Sequence, residues 1–273
     1  MEITSFSNPK IKLLRKLQDK KQRHKSGLYY VEGLRIVGDA LAHGADIDAV
    51  FYAPELLRSE FGDKILQQSR ENGNEVYELP AAIFESFAAK DRPQGIAATL
   101  KMHESTLPDL NKKMRQVWVG LDAVADPGNL GTILRTQDAT AGSGVFLIGN
   151  CVDVYDPSVI RGSMGSFFTQ PHYELDIAAI TKWKNENHVY IIGTSDRAEK
   201  DYQEIDYPEQ MMLMMGSERQ GMHSEIEALC DEVVSIPMSG YMDSLNLSIA
   251  TSVVLYEIYN QHRKKGLVQE GKK

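Results

Sequence analysis

Cysteine is scarce: the 273 residues hold only Cys151 and Cys230, far apart and in no CxxC pair. A chain of this length buries roughly 70 to 75% of its unfolded surface and needs no disulfide or metal staple. Both cysteines therefore read as reduced thiols of a cytoplasmic protein. Long apolar runs are missing as well. No uncharged stretch approaches the ~18 residues of a membrane span, and the opening MEITSFSNPKIKLLRKLQ carries lysines where a signal peptide needs apolar side chains. Several catalytic signatures are absent too. The histidines form no HxxxH pair and no Cys/His cluster, which leaves a metal site without support. The segment 216–221, GSERQG, has the glycine spacing of a phosphate loop but continues with Met222 and His223 instead of Lys and Ser or Thr. No GxGxxG follows a strand pattern, and Arg161-Gly-Ser-Met-Gly165 lacks the first glycine of a nucleophile elbow.

What is present is an ordinary globular composition, 42% hydrophobic and 25% charged, with an uneven charge distribution. Residues 1–35 hold nine Lys/Arg against three acids, a balance of +6 in a chain of net charge -8, so the rest of the chain carries -14. An acidic body with a basic N-terminal segment fits a local contact with a polyanion. The plain structural account is a solvated helix face, because Ile11, Leu14 and Leu17 form an apolar stripe at helical spacing.

The pattern is α/β. Strand-like runs at 29–33, 49–53, 75–79 and 95–100 alternate with helical runs at 36–43 and 82–89. A polar segment at 101–115 reads as a linker, which divides the chain into domains 1–100 and 116–273. In the second domain, strands at 117–121, 145–148, 189–193, 211–215 and 233–236 alternate with helices near 129–141 and within 176–187, and a last helix starts near Ser244. Strands separated by helices, not by two-residue turns, predict a mostly parallel sheet. The last helix is apolar around most of its first half, which predicts burial, with Ser244 as its cap.

Three polar, glycine-bearing segments follow or flank strands of the second domain, where open α/β sheets bind ligands. The first runs from Asp126 to Arg135, with Asn129 near a helix start. Taken alone, the segment reads most simply as an N-cap asparagine and a solvent-facing arginine. The second, 215–222, also reads as a glycine turn with surface charges. The third, 236–248, places Asn246 and Ser248 in the first turn of a helix expected to be buried, where polar groups need partners.

Taken in order, NLGTILRT (129–136), GSERQGM (216–222) and IPMSGYMDSLNLSIA (236–250) resemble the three motifs of the SpoU/TrmH branch of the SPOUT RNA methyltransferases. RGSMGSFF (161–168) resembles a further stretch found between the first two. SFSNPKIKLLRKL (5–17), YYVEGLRIV (29–37) and PQGIAA (93–98) resemble the RNA-binding domain, similar to ribosomal protein L30e, that often precedes the catalytic domain.

The resemblance implies transfer of a methyl group from S-adenosyl-L-methionine to an RNA ribose 2'-hydroxyl by a homodimer whose C-terminal chain forms a trefoil knot. It implies cofactor contacts at Gly216, Ser217, Glu218, Gly221, Ile236, Met238 and Leu245. It sets Asn129, Arg135, Ser244 and Asn246 about the reacting ribose, and makes Lys10, Lys12, Arg15, Arg23 and Arg35 candidates for RNA phosphate. Arg135 matches the family's catalytic arginine. A guanidinium does not deprotonate in proteins, so a clamp on a neighbouring phosphate is the role its chemistry favours. Ribosomal RNA is the implied substrate. Transfer RNA, a base acceptor, or a non-catalytic RNA-binding protein on the same fold are the alternatives. Ser158 and Gln137 stand where lysine and alanine are common, departures that touch no proposed catalytic group and bear on substrate preference.

Overall fold

Asn8 starts the first helix by accepting a hydrogen bond from the Lys10 amide at 2.9 Å, and Pro9 occupies its first position. This computed structural model describes residues 1–89, 92–103, 105–108, 110 and 114–268. The chain forms two units, Met1–Glu104 with Tyr155–Thr169, and Ser105–Val154 with Gln170–Lys273. Within the expected linker, residues 104, 109 and 111–113 lie outside the described residues.

In the first unit, Ile11, Leu14 and Leu17 are fully buried along α1 (Pro9–Lys16) and its exit, as their spacing predicts. Asp19 caps α2 (Lys20–Ser26), which ends at Gly27 in the left-handed region. There follow β1 (Leu28–Glu32), α3 (Leu34–Ala42), β2 (Ile47–Tyr52), α4 (Glu60–Glu71), β3 (Glu75–Glu78), α5 (Ala81–Glu85) and β4 (Ile96–Lys101). The strand order is β1-β4-β2-β3. Only β2 and β3 are parallel, because β4 returns between β1 and β2 and runs antiparallel to both. A long connection permits a parallel crossover without requiring one. The polar helix α4, which buries Ile65 and Leu66, has too few apolar positions to stand out in the sequence.

Arg23 is 1% exposed and belongs to the core of this unit. Its guanidinium donates to the carbonyls of Leu17 and Gln18, both at 2.9 Å, and lies 3.8 Å from the carboxylate of Asp156.

The second unit begins with β5 (Gln116–Asp122), α6 (Pro127–Ala139) and β6 (Gly144–Ile148). The chain then contributes α7 (Pro157–Ser163) to the first unit, within the 155–169 segment that strand patterning alone does not separate. It returns as β7 (His172–Leu175), α8 (Ile177–Asn187), β8 (Tyr190–Thr194), β9 (Gln210–Met215), α9 (Ser224–Glu227), β10 (Glu232–Val234) and α10 (Leu247–Lys264). The six strands are ordered β10-β8-β9-β5-β6-β7 and every pairing is parallel. From β5 the chain builds β6 and β7 on one side and β9, β8 and β10 on the other. The carboxyl ends of β5 and β9 therefore meet at the switch point of the sheet, the place where such folds open a crevice.

Gln137 braces the amino end of this sheet. It is fully buried and its amide donates to the carbonyls of Val117 at 2.7 Å and Gly144 at 3.1 Å. A Cβ at Gly142 would stand 2.1 Å from the same side chain. The glutamine thus has a packing role, which accounts for it without reference to substrate.

Two expectations for the last helix are corrected. α10 starts at Leu247 and its cap is Asn246, whose Oδ1 accepts from the amides of Ser248 and Ile249. Ser244 precedes the helix and its hydroxyl meets Asp243 at 3.3 Å. The helix is also not buried all round: Leu247, Val254, Leu255 and Ile258 face inward, while Ile249 (49%) and Tyr256 (46%) are exposed. Among the described residues no helix is long and apolar enough to cross a membrane.

Candidate active site

Asp126 ends the turn after β5 and caps α6, accepting from the Asn129 amide at 2.7 Å, with Pro127 in the first helical position. Asn129 is therefore not the cap. It sits in the first turn as a residue only 6% exposed, and a buried amide must find partners at both ends. It finds one from each of the other two motifs. Its Nδ2 donates to Glu218 Oε1 at 2.6 Å, and its Oδ1 accepts from Asn246 Nδ2 at 3.0 Å. Asn246 uses its own Oδ1 to cap α10, so the amide that reaches Asn129 is oriented by the helix start. About two turns further along, Thr136 and Ser252 pair their hydroxyls at 2.8 Å.

The loop after β9 is built to close on itself. Ser217 and Gly221 exchange backbone hydrogen bonds at 2.9 and 3.0 Å, and Gly221 has φ +69°. A Cβ at Gly216 would lie 2.0 Å from the Gly221 carbonyl carbon, so only glycine fits there. Glu218 extends from the exposed turn of this loop to Asn129.

Ile236 is half-buried, whereas Met238, Leu245 and Ser244 are exposed along the irregular segment that leads to α10. Among the described residues, 236–245 form no backbone-to-backbone hydrogen bond. Arg135 lies on α6 with its side chain in solvent and makes no hydrogen bond or ion pair among the described residues. The structure thus joins Asn129, Glu218 and Asn246 directly, and leaves Arg135 and Ser244 free of that network. Both cysteines are held as thiols: burial raises Cys151 and pushes Cys230 up to about 12, against the opposing charge of Lys184.

Sequence reasoning missed Asp122 and His223. Asp122 ends β5 with its carboxylate buried, accepting from the His223 amide at 2.7 Å and meeting His223 Nδ1 at 2.8 Å. They lie 101 residues apart, and neither falls within a motif. Their positions at a strand end and just past the 216–222 loop were the available signals.

Among the basic candidates, Lys10 pairs with Glu75 at 2.7 Å, and burial and that partner shift it in opposite senses to a net rise. Arg15 donates to Ser86 Oγ at 2.7 Å and stacks 5.7 Å from the Phe6 ring centroid. Lys12 is exposed, and Arg35 is exposed beside Asp39 at 3.7 Å. Arg23 alone is withdrawn from the surface.

Residues 116–256 match the SpoU rRNA methylase family, and residues 8–98 match the MRM3-like substrate binding domain. The chain belongs to the SpoU rRNA methylase family. It is 32% identical to an uncharacterized tRNA/rRNA methyltransferase of Synechocystis, over 95% of this chain and 93% of that protein. It is 27% identical to a 23S rRNA (uridine(2479)-2'-O)-methyltransferase of Streptomyces viridochromogenes, over 90% of this chain and 87% of that one. The AdoMet-bound crystal structure of an rRNA methyltransferase from Sinorhizobium meliloti superposes with a TM-score of 0.87 at 32% identity, covering 98% of this chain and 99% of the other.

Proposed function

We propose that this SpoU family member transfers a methyl group from S-adenosyl-L-methionine to a ribose 2'-hydroxyl of 23S ribosomal RNA, as a homodimer in the cytoplasm. The observation that carries the reading is Asn129, whose two amide atoms join the second and third motifs to the first at the carboxyl ends of β5 and β9.

The residues fit the cofactor. The unbonded backbone groups of 236–245 offer donors and acceptors for an adenine edge, flanked by Ile236, Met238 and Leu245. Gly216, Ser217, Glu218 and Gly221 supply a tight loop beside them. Bound S-adenosylmethionine supplies a methyl group already activated by its sulfonium, so the chain provides alignment and charge stabilisation. Asn129, Ser244 and Asn246 orient the ribose. Arg135, free in solvent, clamps an RNA phosphate and stabilises negative charge on the attacking oxygen while phosphate or water takes the proton. Lys10, Lys12, Arg15 and Arg35 hold RNA phosphates, whereas Arg23 is buried and serves the core. Exposed Ile249 and Tyr256 on α10, with Met242 on the loop before it, form the dimer face.

The test is transfer of tritiated methyl to total RNA, followed by nuclease mapping. Label in a 2'-O-methylated nucleotide of 23S RNA is expected. Label confined to transfer RNA or to a base, or none at all, rejects the reading.

A further inference from the structure

We propose that Asp122 and His223 are a positioning pair that fixes the 216–222 loop to the end of β5. The loop is bonded to itself through Ser217 and Gly221, so it is a small rigid lobe whose orientation depends on its ties to the sheet. Among the described residues the loop is tied at its outer turn by Glu218 to Asn129, by the partly buried Met222 packing against the core 4.0 Å from Cys230 Sγ, and at its base by His223 to Asp122.

The base tie has two strands. The His223 amide donates to Asp122 Oδ2 at 2.7 Å, and Nδ1 of the ring lies 2.8 and 2.9 Å from the two carboxylate oxygens. An ionised carboxylate only accepts, so the ring carries its proton on Nδ1. Asp122 is buried, and a buried carboxylate is costly unless its lone pairs are used. The ring supplies a donor that the single backbone amide cannot. His223 itself is half-exposed, with 49% of its side chain accessible, so it contributes little packing. Its bond to Asp122 is what a substitution removes.

The consequence for activity rests on the reading that this loop holds the cofactor. With the base fixed, Glu218 is presented to Asn129 in one orientation. With it loose, the outer turn is held to Asn129 by a single part-buried hydrogen bond.

The test compares wild type, His223→Leu and His223→Asn by amide hydrogen exchange at Ser217 and Gly221 and by calorimetric titration with S-adenosylmethionine. His223→Leu should speed exchange at both amides and weaken the cofactor Kd, each by about tenfold, the worth of one hydrogen bond to a charged group. His223→Asn, which keeps an N–H donor on the same branch, should restore both to within about threefold. Steady-state kinetics should show the loss in KM for cofactor more than in kcat. Wild-type exchange and affinity in His223→Leu would overturn the proposal, as would His223→Asn behaving like His223→Leu. If wild type fails to bind S-adenosylmethionine, the functional reading fails separately, and the exchange comparison still decides the latch.

Discussion

Asn246 donates from Nδ2 to Asn129 Oδ1 at 3.0 Å, joining residues 117 positions apart through an amide that also caps α10 from its own Oδ1. Because Asn129 passes its own Nδ2 hydrogen to Glu218, the three motifs share a single polar junction. Both ends of one amide are in use, so the site depends on that amide's orientation.

Asn129→Asp tests that junction while conserving shape. Aspartate keeps an acceptor for Asn246 and replaces the donor to Glu218 by an oxygen, which sets two carboxylates 2.6 Å apart by the present geometry. Repulsion should displace Glu218. Single-turnover methylation should fall at least ~100-fold, and thermal unfolding should show a loss of about 1 to 3 kcal/mol. Normal turnover in this variant would remove the junction from the active site.

Arg135→Ala should behave differently, because the side chain is in solvent and braces nothing among the described residues. Stability should stay within about 0.5 kcal/mol of wild type. Turnover should fall at least ~100-fold with cofactor affinity nearly unchanged, the signature of an interaction made in the transition state. Near-normal single-turnover rates would reject the clamp.

The basic residues of the first unit separate into two classes. Arg23→Met leaves the carbonyls of Leu17 and Gln18 without their donor and should cost about 2 to 4 kcal/mol in denaturant unfolding. Lys12→Gln should leave stability alone and reduce the slope of log K for RNA against log salt by about 0.7 to 0.9 for its lost phosphate contact. An unchanged salt slope in Lys12→Gln would place the RNA elsewhere.

The division between legible and illegible features follows from range. The apolar stripe of Ile11, Leu14 and Leu17 and the strands of the second unit were visible because periodicity is local. The three motifs were visible as segments with too many polar and glycine residues for their places. That they meet came only from the family resemblance, and the hydrogen bonds that join Asn129 to Glu218 and Asn246, like the Asp122–His223 pair, were not visible, since nothing local ties these residues together. The cap of α10 was misplaced because Ser244 and Asn246 are both good capping residues two positions apart, and only the helix path selects between them. Arg23 looked like its lysine neighbours because charge alone does not reveal which cation the core has enclosed. Gln137 looked like a family departure with functional weight until Val117 and Gly144 showed what it holds.

His262 should give the second unit an acid limb of instability. Its ring is fully buried, with Nδ1 accepting from Arg115 Nε at 2.8 Å and Nε2 facing the Tyr207 carbonyl at 3.1 Å. Nε2 therefore carries the proton, and Nδ1 must stay unprotonated to serve Arg115. Burial holds the pKa below the usual 6.5 against the bond to Tyr207, and the positive charge of Arg115 lowers it further. The unfolded chain then binds a proton at a higher pH than the folded one, so stability is complete above the unfolded value of 6.5 and falls as pH drops from there toward the folded pKa. Urea unfolding between pH 8 and pH 5 should show that decline. His262→Gln presents an acceptor to Arg115 with no group to titrate, so it should flatten the curve over this window even if its stability at pH 8 is lower. Equal slopes in the two proteins would show that other groups set the acid limb.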